Sequence, residues 1–73
     1  MNIYKVKILL TEGEDTFRSV KEIVNKYGVF KGVTLHNLNY HFNKLIKDKD
    51  TGELVKNTNV NIGGLHIEKI VIN

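Results

Sequence analysis

The spacing of apolar residues changes along the chain, and each change marks an element. From Ile3 to Leu10, Tyr4, Val6 and Ile8 alternate with Lys5 and Lys7. That is the period of a half-buried strand. Thr11 to Asp15 reads as a turn in which Gly13 takes a positive φ. Thr16-Phe17-Arg18 reads as a short returning strand. The period then lengthens: Val20, Ile23, Val24 and Tyr27 fall at i, i+3, i+4 and i+7, one face of a helix. Ser19-Val20-Lys21-Glu22 is a capping box, with the serine oxygen on the amide three residues on and the glutamate reaching back. A start at Asp15 or Thr16 adds Phe17 to the same stripe. Gly28 stands where a left-handed residue ends the helix. Thr34 caps a second helix, along which Leu35, Leu38, Phe42, Leu45 and Ile46 keep helical spacing, with cations over Lys47 to Lys49 at its end.

Asp48 to Gly52 reads as a turn, Glu53 to Lys56 as a short strand, and Gly63-Gly64 as a break. Asn57 to Asn61 fits no element clearly. Leu65 to Ile72 is a strand, alternating at first and apolar at its end. The order is strand, helix, helix, strand, strand. It describes an α+β domain, winged-helix-like, whose first and last strands pair in one small antiparallel sheet. Residues 48–61 fit two readings. One is a wing with Lys49 and Lys56 on phosphate. The other is a plain hairpin completing the sheet, which Asp48 and Asp50 favour because carboxylates repel phosphate.

Seventy-three residues make one domain, 1–73, with the helix-turn-helix unit at about 19–47. A chain this short buries only roughly 60–65% of its unfolded surface, so the core is thin. No cysteine is present to staple it. No apolar run approaches the roughly 18–20 residues of a membrane span, and the start lacks a signal-peptide core. These features lead us to expect a soluble cytoplasmic protein that binds rather than catalyses. His36 and His41 are five residues apart and do not share a helix face as a metal pair at i, i+4 would. Ser19 is explained by capping. Gly63-Gly64 opens no helix, so it is not a phosphate loop. We expect no enzyme activity, metal or cofactor.

The net charge is +3. Its distribution says more than its size. Residues 16–47 hold Arg18, Lys21, Lys26, Lys31, Lys44 and Lys47 against Glu22 alone, a net of +5. A basic middle on a small domain is the electrostatic pattern of a nucleic-acid binder. On a helical wheel, the face of the second helix opposite its apolar stripe reads His36, Asn37, Tyr40, Asn43, Lys44 and Lys47, with no carboxylate. Amides pair bidentately with adenine, lysines meet guanine or phosphate, and a tyrosine reaches phosphate or a thymine methyl.

Two motifs in this region carry a resemblance. Gly32-Val33-Thr34-Leu35-His36-Asn37-Leu38 resembles the start of the recognition helix in many small regulators. Phe17-Arg18-Ser19-Val20-Lys21-Glu22-Ile23 resembles the first helix of modular helix-turn-helix repeats, common in phage proteins and in the tails of intron-encoded homing endonucleases. Gly64-Leu65-His66-Ile67-Glu68-Lys69-Ile70 is similar to the strand that closes such modules. The turn is longer than usual, with three bulky residues between Gly28 and Gly32. Asn37 stands where Ser or Thr is common, and Val24 where alanine is. The resemblance implies a regulator of phage or mobile-element type in a bacterial host cell. Its second helix would lie in the major groove of double-stranded DNA. Thr34 would then offer the capped amide end to phosphate. His36, Asn37, Tyr40 and Asn43 would read bases, and Lys31, Lys44 and Lys47 would anchor phosphates. A homodimer through the edge of Ile70, Val71 and Ile72 is expected. The alternative is a module that modulates a host protein through the helix face or the last strand.

Overall fold

The alternation at the start of the chain forms the strand it predicts, β1 (Asn2–Ile8). In this computed structural model, which describes residues 1–72, Tyr4 and Val6 of β1 are buried while Lys5 and Lys7 are exposed. The chain continues through β2 (Glu14–Phe17), α1 (Val20–Tyr27), α2 (Leu35–Asn43), β3 (Leu45–Lys47), β4 (Leu54–Lys56), β5 (Asn59–Ile62) and β6 (Leu65–Val71). It is a small α+β structure with two helices on an antiparallel sheet of order β2-β1-β6-β5. The first and last strands pair as expected, over seven residue pairs from Asn2–Val71 to Ile8–Leu65. Directly opposed residues share a sheet face. Val6 and Ile67, Ile8 and Leu65, and Val60 of β5 therefore point to the helices. They meet Val20, Ile23 and Tyr27 of α1 and Leu38 and Phe42 of α2 in one core. Tyr4 and Phe42 meet edge to face at 5.4 Å between ring centroids, a favoured aromatic geometry.

The element order differs from the expected one by three strands and one helix end. α2 stops at Asn43; Lys44 turns extended, and Leu45 to Lys47 form β3 instead of a last helical turn. Leu45 and Ile46 suit the helical stripe, but they also mirror Leu54 and Val55 across a turn, and the turn wins. The Asp48 carboxylate accepts from the amides of Asp50 (2.8 Å) and Thr51 (3.4 Å). Gly52 takes φ +74°, and Asp48 N–H bonds the Glu53 carbonyl at 2.8 Å. The hairpin β3–β4 is a separate two-stranded sheet that does not complete the main one. Register and pleat put Leu45, Lys47, Leu54 and Lys56 on one of its faces and Ile46 and Val55 on the other. The unassigned stretch before Gly63-Gly64 is strand β5. The two glycines, at φ +58° and +83°, are the two-residue loop of a β-hairpin. β6 is a central strand, flanked by β1 and, as far as Glu68, by β5. The edge expected for dimerisation is therefore free only at Ile70, Val71 and Ile72.

Two glycine assignments also change. The positive φ of the first turn falls on Glu12 (+59°), not Gly13. Gly28 is right-handed at φ −64°. A Cβ there would lie 2.5 Å from the Val24 carbonyl oxygen, so close approach, not handedness, requires glycine. The first helix otherwise begins as its capping box demands: Ser19 Oγ accepts from Glu22 N–H at 3.2 Å. The Glu22 carboxylate reaches back to the Arg18 amide at 3.4 Å. The long inter-helix turn has a packing reason. Its Val33 is buried, its Phe30 packs on Tyr27 with centroids 5.7 Å apart, and its Lys31 carbonyl lies over Gly63. A Cβ at Gly63 would stand 2.6 Å from that carbonyl, on a left-handed backbone. Gly63→Ala should therefore cost about 1–3 kcal/mol, read as a lower urea midpoint. Gly13→Ala, with no positive φ, should cost less than half as much.

Lys26 donates to the Asp15 carboxylate, tying α1 to β2, and sits over the rings of Phe17 and Tyr27. That bond holds Asp15 below the ordinary carboxylate range and Lys26 above the ordinary lysine range. A lowered carboxyl contributes stability that is present above its unfolded pKa and lost as pH falls through the folded one. The loss therefore falls below about pH 4, and it is small because solvent screens the pair. Urea midpoints followed from neutral pH into acid should fall less steeply in Asp15→Asn than in the natural chain.

Candidate nucleic-acid interface

Leu38 and Phe42 of α2 are buried toward the sheet. At about 100° per residue, the side chains of Asn39, Asn43, His36 and Tyr40 fan out in that order over an arc of about 100°. They line, with Lys44, a shallow open concavity of about 380 Å³. Tyr40 is 62% exposed, its ring edge-on to His41 at 5.4 Å. No carboxylate stands on α2 or on its capping residues Thr34 and Lys44.

The structure thus brings His36, Tyr40, Asn43 and Lys44 together and sets the other expected site residues apart. Asn37 is half-buried and donates through Nδ2 to the Gly32 carbonyl at 3.0 Å, so it braces the inter-helix turn instead of facing outward. Thr34 caps α2, its Oγ1 accepting from the Asn37 amide at 3.1 Å. Lys31 is exposed in the loop before α2. Lys47 lies on β3, not on the helix. Asn39 was missing from the expected set. The free face is rotated toward it by roughly 60° from the direction opposite the apolar stripe. The cause is visible at three residues. Leu35 is half-exposed at the helix start. The Asn37 side is covered by the Gly32 turn. The His41 carbonyl takes Asn57 Nδ2 at 3.2 Å. An amide already serving a glycine turn was the one signal that could have removed Asn37 in favour of Asn39.

The cations are unevenly engaged. Lys26 is held by Asp15, and Lys5 by Glu14 at 3.2 Å. On the outer sheet face Lys5 also stands opposite Glu68, and His66 Nδ1 lies 2.7 Å from Asn61 Oδ1. That face is largely self-neutralised. Among the described residues Lys31, Lys44, Lys47 and Lys56 form no ion pair. Lys31 precedes α2, Lys44 follows it, and Lys47 and Lys56 share one hairpin face.

No helix among the described residues is long and apolar enough to cross a membrane. Comparison with known proteins finds no matching family model, no similar curated protein and no similar solved structure. The geometry predicts different outcomes for the two neighbouring amides. Asn37→Ala should destabilise the fold by about 1 kcal/mol, as loss of a half-buried hydrogen bond does. Asn39→Ala, at an exposed site, should stay within about 0.5 kcal/mol of the natural chain. Urea unfolding of both variants checks this.

Proposed function

We propose that this chain is a small duplex-DNA-binding protein, a regulator of phage or mobile-element type, that lays the exposed face of α2 in the major groove. One observation carries the reading: an exposed, carboxylate-free helix face of His36, Asn39, Tyr40 and Asn43, bracketed by Lys31 before it and Lys44 after it. A solvated helix face of ordinary composition carries acids; this one would meet none of its own charge repelled by phosphate. The helix–turn–helix order followed at once by a separate, exposed hairpin supports a winged-helix-like use of the fold, with Lys47 on the flanking backbone. The Asp48 carboxylate, in the hairpin turn, is turned to the amides of Asp50 and Thr51, which lessens the objection its charge raises to a wing.

Three phosphate contacts, by Lys31, Lys44 and Lys47, give a salt slope of about −3. Binding to random duplex, followed by fluorescence anisotropy, should weaken about 40-fold between 50 and 200 mM salt. The double variant Lys44→Glu/Lys47→Glu should lose most of the affinity and flatten the slope by about 2. Absence of binding at micromolar protein in low salt would overturn the proposal. A second reading, a module acting on a host protein, is favoured by Leu45 and Leu54, more than half exposed on a hairpin outside the main sheet. It predicts salt-tolerant binding that Leu54→Lys abolishes and Lys31→Glu/Lys44→Glu leaves intact.

A further inference from the structure

We propose that α2 reads adenine through Asn39 and Asn43, so that the ligand is an A·T-rich duplex; this rests on the DNA-binding reading above and gives it a sequence class. Asn37, Asn57 and Asn59 donate through their side chains to Gly32, His41 and Thr58, and Asn61 is paired with His66. The side chains of Asn39 and Asn43 make no hydrogen bond among the described residues and line the concavity of α2. Each offers one acceptor oxygen and two donor hydrogens. In the major groove adenine presents an acceptor at N7 beside a donor at N6, which an amide satisfies with both its ends. Guanine presents two acceptors, N7 and O6, and asks for two donors. An amide facing guanine leaves its own oxygen against an acceptor. Arginine and lysine, the usual guanine partners, are absent from α2, whose residues are Leu35 to Asn43.

The spacing agrees with two reading positions. Asn39 and Asn43 are one helical turn apart, about 6 Å along the axis. That is close to two base-pair steps of about 3.4 Å. Tyr40 stands at the other end of the exposed arc from Asn39, 62% exposed, where its ring can pack on the methyl that thymine places in the major groove. Lys44, beyond the last helical residue, is placed to meet phosphate at the edge of the groove. The four side chains therefore divide by chemistry: two amides for adenine, one ring for thymine and a cation for the backbone.

The test compares three duplexes of equal length, alternating A·T, alternating G·C and alternating inosine·C, by anisotropy at about 50 mM salt. Inosine·C has the major-groove pattern of G·C and the minor-groove pattern of A·T. The proposal expects the A·T duplex to bind at least tenfold more tightly than both others. Asn39→Ala and Asn43→Ala should each remove most of that preference while leaving the salt slope unchanged. Equal, steeply salt-dependent binding to all three duplexes would overturn the adenine assignment and leave the DNA-binding reading standing. Inosine·C binding as tightly as A·T would overturn it in favour of minor-groove recognition. A preference that survives both substitutions would overturn the roles of Asn39 and Asn43. Failure of all three duplexes to bind would overturn the DNA-binding reading, and this inference with it.

Discussion

The fold depends on the antiparallel ladder between β1 and β6. It joins the two ends of the chain over seven residue pairs and forms the middle of the sheet. Val6, Leu65 and Ile67, all fully buried, come from these two strands. They form the apolar floor against which Leu38 and Phe42 of α2 and Ile23 of α1 pack. In a domain this small the apolar burial is limited, so the orientation of α2 follows from how its few large side chains seat on that floor. The direction of the exposed α2 face is a consequence of this pairing. Loss of the ladder would release both helices, because the side chains that α1 and α2 bury share one core with this sheet.

Charge placement follows the same frame. On the outer face of the sheet cations and acids stand side by side, Lys5 with Glu14 and opposite Glu68. At the edge of the helical layer Lys26 is held by Asp15. Among the described residues Lys31, Lys44, Lys47, Lys49 and Lys56, around α2 and the hairpin, form no ion pair. A sheet neutral on its outer face and a helix face without acids give the molecule two unlike sides. The side carrying α2 is the one an anionic polymer would approach.

Much of this was legible in the sequence because it rests on local periodicity. The period-two run buries Tyr4 and Val6 and half-buries Ile8, and the helical stripe buries Val20, Ile23 and Tyr27 and half-buries Val24. The caps at Ser19 and Thr34 are also local, one side-chain oxygen meeting an amide three residues on. What was not legible depends on partners distant in the chain. Leu45 and Ile46 suit a helix as well as a strand until Leu54 and Val55 are seen to fold back on them. Asn59 to Ile62 looks polar because only Val60, and partly Ile62, turn to the core. Asn37 and Asn39 are equivalent in composition. The Gly32 carbonyl, fixed by the turn, separates them by claiming the Asn37 amide. The long inter-helix turn became intelligible only once Phe30 and Val33 were found packed in the core and Gly63 beneath the Lys31 carbonyl.

The most direct test of the central claim, that the exposed face of α2 is the DNA-contacting surface, is a titration of the isotope-labelled chain with a short duplex, followed by amide and side-chain NMR. The largest shift changes should fall on His36, Asn39, Tyr40, Asn43 and Lys44, with Lys31 and Lys47 at the margin, and the outer-face signals of Lys5, Glu68 and Asn61 should stay in place. Changes centred on that outer face, or on Leu45 and Leu54 with α2 unmoved, would contradict it.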